Sequence, residues 1–382
     1  MGMRRLPRRY SPVWLAAAVF VLAVALWAGL FALRYSRSGD QFDVLRFELS
    51  TVVNKWLFAL GSPLRADPSG DQAVVEYFAL SDRSGGRAAA LENVVEATIE
   101  GRLDAVLRQQ GVGGRFSLPG PLAVWPPVDI ELGRSPRVLV TSPRARIERL
   151  GADRLRAELT LERATALEAS AEADDPSLSA LVLSTGGIAF YPALVSNRNS
   201  FAAAVDTAAH EWTHHYMGFY PLGVGIPSGD RQVISETVAD LVAEELAALV
   251  LARFGDPTGA SARAASDSAP ATAAPTLTTR RLRELRVEVD VLLSEGRIEQ
   301  AEARMEQVRL ELEASGVRIR RINQAYFAWT DVYAARPDAV DPLGEQLRTL
   351  RERAGSLARF MALVRDARTR DDVQRLLVAA GR

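Results

Sequence analysis

The chain contains no cysteine, which excludes disulfides and any thiolate metal site and leaves the redox state of its compartment undetermined. Histidine is almost missing, with three copies in 382 residues. Lys55 is the only lysine, and this bias toward arginine, with abundant alanine, reflects a GC-rich coding sequence rather than a binding property. A formal net charge of -1 and the lack of a dense basic patch give no reason to expect a nucleic-acid partner. Long apolar runs are also absent, with one exception. Val13 to Leu33 carries no charge, and about 20 helical residues cross a bilayer core of roughly 30 Å. Arg4, Arg5, Arg8 and Arg9 precede it and only Arg34 and Arg37 follow before acidic residues begin. The positive-inside rule then places residues 1–12 in the cytoplasm as a basic tail and the rest outside. A cleaved signal peptide is the competing reading. Its apolar core is normally shorter, and Ala28 to Leu33 shows no small-x-small cleavage site, so the expectation is an uncleaved single-pass anchor over 13–33 in the cell membrane.

All three histidines fall in one word, His210-Glu211-Trp212-Thr213-His214-His215. Residues four apart share a helix face, so His210 and His214 can offer two imidazole nitrogens to one metal while Glu211 points into the same cleft. A catalytic zinc needs a third protein ligand and an open position. Ser235-Glu236-Thr237-Val238-Ala239-Asp240 supplies a candidate, because Glu236 and Asp240 lie one turn apart at the start of an apolar helical run. His215 sits about 100° around the helix from His214 and reads as a packing neighbour. Glu244 and Glu245 read as ordinary solvated helix acids.

The pairing of His-Glu-x-x-His with a later Glu-x-x-x-Asp resembles the gluzincins, the zinc-peptidase group that includes thermolysin and the membrane-alanyl aminopeptidases. The resemblance covers the two motif helices, roughly a tenth of the chain. It implies Zn2+ held by His210, His214 and Glu236, Glu211 as general base, and Asp240 as a carboxylate orienting a ligand histidine. A metzincin would need glycine where Met217 stands and a third histidine where Tyr220 stands. A deformylase would need a cysteine ligand.

What the resemblance further implies is an α+β, zincin-like domain acting on a peptide or protein substrate. Just upstream, Ala180 to Pro192 would supply the edge strand that binds substrate backbone, with Gly186 and Gly187 permitting close approach or forming only a turn. No histidine remains to stabilise an oxyanion, so tyrosine is the candidate donor. Tyr326 or Tyr333, on a C-terminal helical lobe, is preferred, with Tyr220 as runner-up.

Elsewhere the pattern predicts a juxtamembrane helical region over 41–127, with an amphipathic helix from Gln41 to Leu60 and another from Leu91 to Gln109. The catalytic core spans 128–255, and its sheet candidates are Val128 to Leu132, Arg137 to Thr141, Ala145 to Leu150 and Leu155 to Leu161. An Ala/Ser/Thr/Pro stretch over 256–279 reads as a flexible linker. A helical hairpin over 280–315 follows, with Leu282, Leu285, Val289 and Leu292 facing Ile298, Ala301, Met305, Val308 and Leu312 as an antiparallel coiled-coil pair. It would serve as a rigid arm or as a docking element for a protein partner. A C-terminal helical lobe occupies 317–382. Two other readings stand beside the peptidase: a zinc hydrolase of a non-peptide amide, and a noncatalytic membrane scaffold with structural zinc.

Overall fold

The computed structural model describes residues 39–44, 47, 51, 70–113, 124–260, 276–337 and 339–381. The anchor segment 13–33, most of the helix expected over 41–60 and the middle of the 256–279 linker lie outside the described residues. Among the described residues no helix is long and apolar enough to cross a membrane. The architecture is α+β, with two small sheets and eleven helices in the described part. In chain order these are α1 (Asp71–Ala79), α2 (Gly86–Gln109), β1 (Ile130–Gly133), β2 (Arg137–Pro143), β3 (Gly151–Leu155) and α3 (Leu161–Asp174). Then come β4 (Leu178–Ser184), β5 (Gly187–Ile188), β6 (Ala193–Ser196), α4 (Phe201–Met217) and α5 (Asp230–Phe254). The chain closes with α6 (Leu277–Ser294), α7 (Ile298–Ala314), α8 (Gln324–Thr330), α9 (Leu343–Ala354), α10 (Leu357–Val364) and α11 (Arg370–Ala380).

The largest core forms around α4 and α5. Val95, Ile99, Leu103 and Val106 recur at three and four spacing along α2 and bury one face of that helix against them. The stretch 41–127, expected as a juxtamembrane region, therefore supplies α1 and α2 to the same core as the histidine helix. Leu343, Leu347 and Leu350 of α9, Phe360 of α10 and Val373 of α11 join it from the other end of the chain. Glu244 is solvated as expected, its side chain 70% exposed, but Glu245 is not. Arg351 grips Glu245 with two bonds of 2.8 and 2.7 Å, and Arg348 reaches Glu244 at 3.4 Å, which ties α9 to the outer face of α5.

The strands divide into two separate sheets. One has the order β1-β6-β5, with β1 parallel to β6 and β5 antiparallel at the edge. The other is antiparallel in the order β3-β2-β4. Because side chains alternate along a strand, Val138, Val140 and Leu181 face Ala325 of α8, while Leu155 and Val182 face Ala164 of α3. Two expectations are corrected here. Ala145 to Leu150 is a reversal rather than a strand, closed where the Glu148 amide donates to the Ser142 hydroxyl at 3.2 Å. The strand expected over Leu155 to Leu161 ends at Leu155, because Thr160 caps a helix, accepting from the Arg163 amide at 3.2 Å. The chain entering from the N-terminal side docks on this sheet: Gln41 bridges to Leu155 and Phe42 donates to the Arg154 carbonyl at 3.2 Å.

Helices α6 and α7 form the expected hairpin. Thr276 caps α6 by accepting from the Thr279 amide at 3.2 Å, so the helix begins inside the stretch read as linker. The turn is made by Gly296, whose φ of +72° suits a residue without Cβ. The seam uses Leu282, Leu285, Val289 and Leu293, with Leu292 only partly buried. Arg144, in the β2–β3 reversal, holds Glu302 of α7 through two bonds of 2.7 Å, and this pair fixes the hairpin against the second sheet.

Candidate metal centre

Helix α4 begins at Ser200, whose hydroxyl accepts from the Ala203 amide at 3.3 Å, and continues through an alanine-rich face that packs closely on its neighbours. Trp212 anchors it. Its indole is buried and donates to the Pro126 carbonyl at 2.9 Å, which turns His210 and His214 toward α5 on the other side. Helix α5 starts after Gly229, at φ +56°, and presents Ser235, Glu236 and Asp240 along the facing stripe.

Three donor atoms converge between these helices. His210 Nε2 and His214 Nε2 are 3.1 Å apart, and Glu236 Oε2 lies 3.4 Å from the first and 3.3 Å from the second. Zinc bonds of about 2.0–2.1 Å at tetrahedral angles put neighbouring donors about 3.3–3.4 Å apart, so the triangle matches three corners of a zinc tetrahedron. The rings are oriented from behind. Asp240 Oδ1 is 3.0 Å from His210 Nδ1, and Ser235 Oγ is 3.4 Å from His214 Nδ1, which leaves both Nε2 atoms aimed at the common point.

The electrostatics favour a cation. Burial opposes charging of His210, but its bonds to Asp240 and Glu236, with Glu211 close by, raise its pKa well above the usual imidazole value. Burial would likewise raise Glu236, yet the charge of His214 and the bonds to His210 and His214 outweigh it and hold the carboxyl below its ordinary range. The triangle thus favours positive charge, and a metal bound here would displace a proton.

Glu211 is different. The residue is 6% exposed, its pKa is raised chiefly by burial, and its carboxyl forms no hydrogen bond or ion pair with the described residues. Gly187 of β5 passes directly over it. A Cβ at Gly187 would lie 2.6 Å from Glu211 Oε1 and 2.8 Å from the Leu194 carbonyl, whereas one at Gly186 would meet nothing nearer than Thr207 at 3.8 Å. Only Gly187 is needed for close approach, and the face of β5, an edge strand among the described residues, lies over the carboxyl. If the centre is catalytic, replacing Gly187 by valine should cut turnover more than about tenfold, with the Gly186→Ala protein as the tolerant control; equal activity in the two variants would remove β5 from the site.

The candidate tyrosines separate. Tyr333, just after α8, has its ring 6.3 Å from that of His210, and the neighbouring Ala334 amide donates to Thr237 of α5 at 3.1 Å, which fixes this turn over the site. Burial, then Glu236, Asp240 and Glu211, push its pKa well up, so the hydroxyl remains a proton donor. Tyr326 packs instead between the hairpin and the second sheet, against Phe327. Tyr220 packs against Tyr216 with the rings tilted and Arg365 over its own ring, in the main core. His215 packs as expected, donating to the Phe190 carbonyl at 2.5 Å beside the end of β5, and burial lowers its pKa to about 4.

Comparison with known proteins returns no matching family model, no matching curated protein and no matching solved structure. The likeness to gluzincins therefore stands on the motif residues and their geometry. Sequence reasoning missed two residues at the centre. Ser235 had a local signal, since it precedes Glu236 on the same helix, but Arg149 had none: the β2–β3 reversal carries its guanidinium onto Trp329, which in turn meets Tyr333.

Proposed function

We propose that this chain is a membrane-anchored, zinc-dependent peptidase with a zincin-like catalytic core. His210, His214 and Glu236 hold the metal, and Glu211 serves as general base. The observation that carries the reading is the buried, unpaired Glu211 carboxylate beside a donor triangle of tetrahedral dimensions. A structural zinc site has no use for such a group, and keeping it unpaired is unfavourable.

Zinc, when bound, supplies Lewis-acid polarisation of the scissile carbonyl and acidifies a water. Glu211 takes the proton of the attacking water and returns it to the departing amine, a role suited to a carboxyl whose pKa is raised by burial. Tyr333 donates its hydroxyl proton as a hydrogen bond to the carbonyl oxygen as that oxygen becomes anionic. Asp240 and Ser235 hold the two imidazoles in their ligating orientation. The edge of β5 receives extended substrate backbone, which favours a peptide over a compact amide. The 13–33 segment serves as the anchor, the catalytic core stands outside the membrane, and the hairpin is a rigid arm or protein-docking element.

The test uses the full chain with zinc content and peptide cleavage measured together. Chelation should silence cleavage and about one equivalent of zinc should restore it. Cleavage indifferent to the chelator would overturn the reading, and hydrolysis confined to non-peptide amides would favour that alternative.

A further inference from the structure

Arg149 has no part in the chemistry described so far, yet it lies at the centre. Its guanidinium sits over the face of Trp329, 5.5 Å from the ring centroid. Trp329 meets Tyr333 edge-on at 6.1 Å, and Tyr333 in turn borders His210. Burial lowers the Arg149 pKa, opposed by the Glu236 carboxylate and Tyr333, which places the guanidinium in the field of the metal ligands. Arg149 nevertheless makes no hydrogen bond and no ion pair with any described residue. Two arginines that dock on the second sheet, Arg144 and Arg320, pair with Glu302 and Glu168.

Arg149 is half-buried and its guanidinium nitrogens stay open to solvent, so an incoming anion can reach them, while Glu236 is committed to the metal. The rigid, planar fork of arginine fits a carboxylate with two parallel bonds, and the Trp329 face keeps the fork in one orientation. Tyr333 already occupies the place beside His210 where a reacting oxygen would develop charge. The role left for Arg149 is to hold a part of the substrate that does not react.

We infer that Arg149 is the substrate-anion anchor of this centre: its guanidinium, seated on Trp329, pairs with a carboxylate next to the scissile amide. The preferred substrates are then peptides with either a free terminal carboxylate or an acidic side chain at that place. This inference rests on the peptidase reading and deepens it by naming a substrate class.

The test measures binding rather than turnover. Three hydroxamates of dipeptide length are titrated calorimetrically into the full chain loaded with zinc. One ends in a free α-carboxylate, one is its carboxamide, and one is amidated but carries an aspartate side chain. At least one carboxylate probe should bind more than about tenfold more tightly than the carboxamide, and which one does so identifies the source of the anion. In Arg149→Met the preference should fall to about one with zinc content unchanged, and Arg149→Lys should keep part of it. If all three probes bind the wild type equally, the anchor is overturned while the metal centre stands, and this result needs no variant to fold. A preference that survives in Arg149→Met also overturns it. Failure of every probe to bind, together with absence of zinc from the protein, would sink the peptidase reading and the anchor together.

Discussion

Glu211→Gln should abolish peptide cleavage while leaving zinc content unchanged and the fold intact. Glutamine keeps the volume and one acceptor oxygen, so the close passage of Gly187 is preserved, but it cannot accept the proton of the attacking water. General-base catalysis contributes about 10²–10⁴-fold, and the loss in kcat should fall in or above that range. The wild-type carboxyl is buried without a partner among the described residues, so neutralising it removes an unfavourable desolvated charge, and a small gain in stability is expected. An enzyme with undiminished turnover and bound zinc would exclude Glu211 as base. A chain that binds zinc equally in both forms and cleaves nothing in either would instead support the scaffold reading.

Glu236→Ala should produce the largest loss of metal. The carboxylate closes the donor triangle at 3.4 and 3.3 Å, and without it two imidazoles alone face the ion. Elemental analysis should give about one zinc per wild-type chain and nearly none for the variant after dialysis. Stability provides a second readout. Free zinc at about 100 times its dissociation constant adds about 2.7 kcal/mol to a protein that binds it only when folded, so wild type should melt higher with zinc and Glu236→Ala should not. Asp240→Ala should lie between them, because removing the carboxylate behind His210 weakens metal affinity by roughly 10–100-fold without deleting a ligand. Retention of a full zinc equivalent by Glu236→Ala would show that the third ligand lies elsewhere.

The parts of this site legible in the sequence are those fixed by helical periodicity. His210 and His214, and separately Glu236 and Asp240, share faces at a spacing of four whatever surrounds them. The α6–α7 hairpin was legible for the same reason, because its apolar seam repeats locally and Gly296 marks the turn. The sheet region was less so. Ala145 to Leu150 alternates like a strand, but its ends are drawn into a reversal by the pairing of β2 with β3, and this depends on residues outside the segment. Helix α3 was missed although Thr160 before an acidic first turn is a capping signal, because the preceding apolar residues suggested continued strand.

Among the tyrosines, sequence could name Tyr326 and Tyr333 but not choose between them. They are seven residues apart, on or just beyond one short helix, and only the packing of α8 against the second sheet turns the first into an apolar cluster and leaves the second over His210. The choice is tertiary because it depends on what α8 packs against.

By itself, then, the sequence determined the donor types and the two local stripes that carry them, together with an apolar segment long enough to span a bilayer, since each depends on neighbours within a few turns of chain. Tertiary structure decided how those stripes meet. It set the triangle to tetrahedral dimensions, placed Ser235 behind His214, laid β5 across Glu211 and brought Arg149 and Trp329 from another sheet and helix to the same centre. Those contacts join segments far apart in sequence, and their geometry is set by how helices and sheets bury their apolar faces against one another, which no local pattern encodes.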